Sequence, residues 1–94
     1  MKIYLDDERR APEGFIHVRN MSELQGLLKR CNDEIEVMSF DHDLGDGEPD
    51  GYAIIKWLFQ AHGNRYPKEV IVHSANPSGA ANIRAYDACV RRHL

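Results

Sequence analysis

Ile35-Glu36-Val37-Met38-Ser39-Phe40-Asp41-His42-Asp43-Leu44-Gly45-Asp46-Gly47-Glu48-Pro49-Asp50-Gly51 decides the reading of the chain. Its first six residues are an apolar run that predicts a strand. Asp50 is placed to cap a helix predicted from about Gly51 to His62, with Ile54, Ile55, Leu58 and Ala61 on its buried face. Between strand and helix lies a loop. From Phe40 to Gly51 the chain carries five carboxylates, three glycines, a histidine and a proline. Glycine and proline account for the turns, but carboxylates at that density repel one another and require a cation, expected to be Mg²⁺-like.

Working outward, Lys2–Leu5 is a short apolar strand that stops at Asp6-Asp7-Glu8. A loop from Arg9 to Gly14 leads to a second strand, Phe15–Val18. Asn20 followed by Glu23 has capping-box spacing and opens a helix whose stripe is Met21, Leu24, Leu27, Leu28 and Cys31. Glu69–His73 is a fourth strand, apolar without alternation through its centre, which predicts cover on both faces. Ser74–Gly79 reads as a turn, and Ala80 to about His93 as the last helix, with Ile83, Tyr86 and Val90 inward. Strands alternating with helices predict an α/β fold with a mainly parallel sheet and right-handed crossovers; the direction of the second strand stays open. Ligands of such sheets bind beyond the carboxyl ends of the strands. Asp6-Asp7, Asp41-His42-Asp43 and His73-Ser74-Ala75-Asn76 then share one rim.

The 94 residues, 1–94, suit one domain. A net charge of −3 argues against an extended nucleic-acid-binding surface or a membrane-surface role, while a local basic patch of Arg9, Arg10, Arg84, Arg91 and Arg92 stays open. No apolar run is long enough to span a membrane and the start does not read as a signal peptide, so a cytoplasmic protein is expected. Cys31 and Cys89 lack ligand or redox spacing and are expected to be reduced, partly buried thiols. Nothing in the sequence addresses oligomeric state.

On the rim, Asp6, Asp7 and Asp41 are the expected ligands of Mg²⁺ (or Mn²⁺), since hard cations take carboxylate oxygens. Eight of the fifteen acidic residues fall in 6–8 and 41–50, a bias a merely solvated rim does not require. Asp43 reads as a further ligand, a catalytic carboxylate or an Asx-turn residue. His42 and His73 are candidate acid/base groups or structural histidines. Ser74 and Asn76 either contact phosphate or cap a helix. Arg9 is a candidate charge clamp. A calcium EF-hand fails, because Tyr52 stands where a bidentate Glu is required.

These motifs resemble the receiver domain of two-component response regulators: strand-Asp-Asp, strand-Asp, Asp-Gly opening a helix, strand-Ser-Ala. The resemblance implies a receiver-like (flavodoxin-like) three-layer domain in which Asp6 and Asp7 are the acidic pair and Ser74 the phosphate-contacting hydroxyl. Asp41 matches the phosphoacceptor by strand position, Asp43 by spacing from Asp50-Gly51. Two departures stand out. Only a loop separates strands one and two, and a fifth strand with its Lys is lacking.

Leu-Asp-Asp-Glu-Arg-x-x-Pro-x-Gly, Asp-His-Asp-Leu-Gly and His-Ser-Ala-Asn-Pro-x-Gly-x-x-Asn together resemble the cyclic-phosphate processing receiver family over nearly the whole chain. These are small stand-alone proteins of bacteria and their phages. The matching positions are Asp6, Asp7, Arg9, Asp41, His42, Asp43, His73, Ser74, Asn76 and Asn82. The resemblance implies action on a cyclic phosphate, at an RNA end or in a cyclic nucleotide. The expected function is a Mg²⁺-dependent phosphoesterase with His42, Asp43 and His73 in catalysis and Arg9, Ser74, Asn76 and Asn82 on substrate. The alternatives are a non-catalytic nucleotide- or phosphate-binding signalling module and a degenerate phosphoacceptor receiver.

Overall fold

The computed structural model describes residues 1–94. The chain runs β1 (Lys2–Leu5), β2 (Ile16–Val18), α1 (Met21–Arg30), β3 (Val37–Phe40), α2 (Gly51–His62), a 3₁₀ turn (Gly63–Arg65), β4 (Glu69–Val72) and α3 (Pro77–Arg92). The sheet is parallel throughout, in the order β2-β1-β3-β4, so the second strand runs with the first. This is the receiver-like α/β fold expected, with four strands and no fifth beside β4.

Parallel register fixes the faces. Ile3 pairs with Met38 and Leu5 with Phe40, and these side chains meet Leu24 and Leu28 of α1, Ile54, Ile55 and Leu58 of α2, and Ile83 and Val90 of α3 in one cluster. Tyr4, Val37, Ser39 and Ile71 occupy the other face and belong to no part of that cluster. The expected three layers therefore reduce to two. Right-handed crossovers from β2 to β3 and from β3 to β4 advance the same way across the sheet and put both helices on one side. The only step in the reverse direction, β1 to β2, is a loop. On the helix-free face that loop brings Phe15 edge-on to Tyr4 at 6.3 Å, with Lys2 over the Phe15 ring.

Expected cover on both faces of β4 fails for the same reason. It is an edge strand, and Ile71 is 40% exposed despite its apolar side chain. Other boundaries moved little. β3 starts at Val37 rather than Ile35, and α3 begins at Pro77 rather than Ala80, because proline's missing N–H costs nothing at the first helical position. Asn20 caps α1 through the Glu23 N–H, but Glu23 reaches back to the Arg19 N–H at 2.9 Å instead of Asn20. Cys31 is half-buried as expected, whereas Cys89 is exposed; both are free thiols. No helix is long and apolar enough to cross a membrane.

Tyr66, buried beneath the end of α3, donates to Asp87 Oδ1 at 2.8 Å. Burial first, and then the Asp87 charge, push its phenol far above the usual 10.0. The folded protein keeps this proton where the unfolded chain releases it. Its contribution to stability is therefore complete below about pH 10 and declines as pH rises above that value. Thermal unfolding followed from about pH 8 to about pH 11 should lose stability more steeply in the wild type than in Tyr66→Phe; parallel curves would contradict this account.

Candidate functional site

The hydrogen-bond ladder runs one residue past each strand. Asp6 N–H donates to Val18 O at 3.1 Å, Asp41 N–H to Leu5 O at 2.9 Å and His73 N–H to Phe40 O at 3.0 Å. The first residues off β1, β3 and β4 thus stand abreast at the carboxyl edge, and the three sequence clusters meet. One carboxylate oxygen each from Asp6, Asp7 and Asp41 lies within 4.8 Å of the others.

Asp6 is 1% exposed. Its Oδ1 accepts the N–H groups of Glu8 and Arg9, both at 2.8 Å, and its Oδ2 accepts from His73 Nε2 at 2.9 Å. Burial alone would raise its pKa, but the Arg9 and Glu8 amides and the His73 donor outweigh it and hold the carboxyl below the usual range. The anion is therefore maintained. His73 is itself fixed: Ser39, 4% exposed, lies at 2.7 Å from its Nδ1, and the Tyr4 ring stacks on it at 4.2 Å. His17 supports the same turn, with Nε2 at 2.6 Å from the Asp6 carbonyl oxygen.

The acidic loop is closed at both ends. Gly51 N–H donates to His42 O at 2.8 Å, and a Cβ on Gly51 would collide with the Asp41 carbonyl oxygen. Leu44, buried in the main cluster, anchors the loop's middle. Gly45 and Gly47 take the positive φ values its reversal demands. His42 Nδ1 lies 3.0 Å from Asp43 Oδ1, and its Nε2 lies 3.4 Å from Asp50 Oδ2. Its ring packs so closely on Gly79 that α3 has no room there for a Cβ. Asn76 caps α3 by accepting the Gly79 N–H at 2.9 Å, and its Nδ2 donates to Asp43 Oδ2 at 3.2 Å. The bonds from His42 and then Asn76 keep exposed Asp43 below the usual carboxylate range.

Over these groups opens a cleft of about 610 Å³. Arg9, Asp43, Ser74 and Asn76 line it with the three clustered aspartates, as the sequence suggests. His42 and His73 sit beneath the lining and face carboxylates. Asn82, expected among the substrate contacts, is an exposed α3 residue that does not line the cleft. Arg9 reaches across the rim, donating to His73 O at 3.2 Å. Ser74 Oγ accepts the Asn76 N–H at 3.0 Å and keeps its own proton for another partner. No lysine lines the cleft.

The family model of the cyclic-phosphate processing receiver domain matches residues 1–87. The chain belongs to this family. No curated protein and no solved structure matches it. In this cyclic-phosphate processing receiver a loop, with no helix, joins the first two strands.

Sequence reading missed Ser39, Tyr4, Leu44 and the close-contact glycines Gly51 and Gly79. A serine inside an apolar strand and a leucine inside an acidic loop were usable signals. Nothing local marked Tyr4. Removing the His73 side chain in His73→Ala leaves buried Asp6 Oδ2 without its donor, which should cost about 1–3 kcal/mol in urea unfolding in metal-free buffer. Gly79→Ala should cost a similar 1–3 kcal/mol, roughly, by driving a methyl group into His42. Wild-type unfolding midpoints in either variant would refute the corresponding contact.

Proposed function

We propose that this cyclic-phosphate processing receiver is a divalent-metal-dependent phosphoesterase that opens a cyclic phosphate to a phosphomonoester. The supporting observation is the convergence of Asp6, Asp7 and Asp41 within 4.8 Å on the floor of a cleft. The donor set fits: three carboxylates, one of them buried yet held ionised, suit Mg²⁺ or Mn²⁺. A divalent ion seated there supplies positive charge against the phosphoryl oxygens and lowers the pKa of water.

The protein's own groups divide the remaining work. Arg9 and the free Ser74 proton meet phosphate oxygens at the rim. Asp43, ionised and facing the cleft, orients the attacking water and takes up its proton as the water oxygen bonds to phosphorus. The ring P–O bond breaks, and the released alkoxide takes a proton from solvent. His73 and His42 act through carboxylates in this reading: His73 positions Asp6, and His42 holds Asp43 and Asp50. Asn76, with both side-chain atoms engaged, fixes Asp43 against α3.

The test is release of phosphomonoester from a 2′,3′-cyclic mononucleotide in Mg²⁺. Asp41→Asn should lose at least about 100-fold in kcat/KM, the scale of removing one electrostatic stabiliser of the transition state. Undiminished turnover in that variant refutes the proposal. Saturable binding without turnover would instead support a signalling module, and a stable aspartyl-phosphate from a small phosphodonor would support a phosphoacceptor receiver.

A further inference from the structure

We infer that the cyclic phosphate taken by this cleft is a small, singly charged one, on a short polyol or a mononucleotide, accepted whatever its base. The ends of polynucleotide strands are turned away. The inference rests on the cyclic-phosphate reading above and narrows its substrate class.

Charge is the first argument. Eight carboxylates line the cleft, and Arg9 is the one cationic side chain among them. With a divalent ion seated, negative charges still outnumber positive ones by eight to three. One phosphate can be neutralised by the ion and Arg9. A strand brings a phosphate at every further nucleotide and needs a track of lysines and arginines leading to the site. Beyond the lining, Arg10 is exposed beside Arg9 and Arg84 donates to Val72 O at 3.4 Å at the end of β4, two cations against the eight lining carboxylates. Asp46, Glu48 and Glu8 are exposed lining residues of the cleft, open to repel further phosphates. Several cations elsewhere are already engaged: Lys68 with Glu34, Arg65 with the carbonyls ending α1, and Arg91 with Asp87.

The second argument is independent of charge. Recognition of a base in single-stranded nucleic acid relies on an aromatic or guanidinium face on which it stacks. The cleft lining contains no aromatic residue, and its apolar members are Leu44 and Ala75. Tyr4 lies under His73, while Tyr52, Phe59 and Tyr86 pack with one another in the helical layer. Arg9 is tied to the His73 carbonyl and serves the phosphate. What remains is a polar recess for a phosphate and its diol.

The experiment compares kcat/KM in Mg²⁺ across three groups of substrate. These are the four 2′,3′-cyclic mononucleotides, base-free ribose 2′,3′-cyclic phosphate, and oligoribonucleotides of increasing length ending in the same cyclic phosphate. The four bases and the base-free sugar should agree within about threefold, there being no stacking contact to lose. An octamer should be at least about tenfold poorer than the monomer, and the gap should shrink as salt rises from about 0.05 M to about 0.3 M. Asp46→Asn combined with Glu48→Gln should narrow the gap at low salt. An octamer turned over as well as a monomer, a strong base preference, or a gap unmoved by salt and by the double variant would each overturn the inference. If no cyclic phosphate is opened, the proposed reaction fails, and the inference is judged on Mg²⁺-dependent binding of 3′-phosphate mononucleotide and octamer. Weaker binding of the octamer upholds it; tighter or equal binding overturns it.

Discussion

A carboxylate that is 1% exposed and still charged is the constraint on which the carboxyl edge of this protein depends. Desolvation of an anion is costly, so Asp6 must be surrounded by donors. Two come from the backbone of Glu8 and Arg9, which forces the chain out of the sheet in a tight turn immediately after β1. The third comes from His73, beyond β4, two strands away. The intervening strand must then be polar where His73 passes it, and Ser39 provides that one hydroxyl. A single buried charge thus dictates a turn, a histidine and a serine on three separate segments.

Much of this was readable from the sequence. The strands, the capping of α1 and α2 by Asn20 and Asp50, and the gathering of Asp6, Asp7 and Asp41 follow from local patterns plus the rule for carboxyl ends of parallel strands. The layering was not legible in the same way. An unbroken β-branched strand looks alike at a sheet centre and at an edge with one bare face, and only the strand order separates them. Roles of side chains were harder still. His42 and His73 follow the ends of β3 and β4, but no spacing rule reveals that their ring nitrogens face carboxylates and a serine instead of the cleft. Asn82 shared a motif with Ser74 and Asn76 yet lies a helical turn too far along α3.

The cleft has an acidic rim with little basic counterweight in its lining. No lysine reaches the cleft, and Arg9 alone offers a cation. In the proposed chemistry, positive charge for a phosphoryl group is therefore largely imported, and the cluster of aspartates takes the central part. Family membership sets the cyclic-phosphate context. The geometry adds that the histidines brace carboxylates, so the rigidity of the rim and its acidity arise from the same contacts.

The register of β1 against β3 has one more consequence, in the time domain. Asp6 and Asp41 become neighbours only when Leu5 pairs with Phe40, residues distant in sequence. Pairing of β1 with β2 closes a far shorter loop and can form earlier, placing Asp6 while Asp41 is still apart from it. The divalent ion proposed to bridge the two aspartates would therefore recognise only chains whose central strand pair has formed in the right register. Such an ion would draw the folding equilibrium toward them by mass action. The proposed metal site would, in that sense, act as a checkpoint on the protein's own assembly.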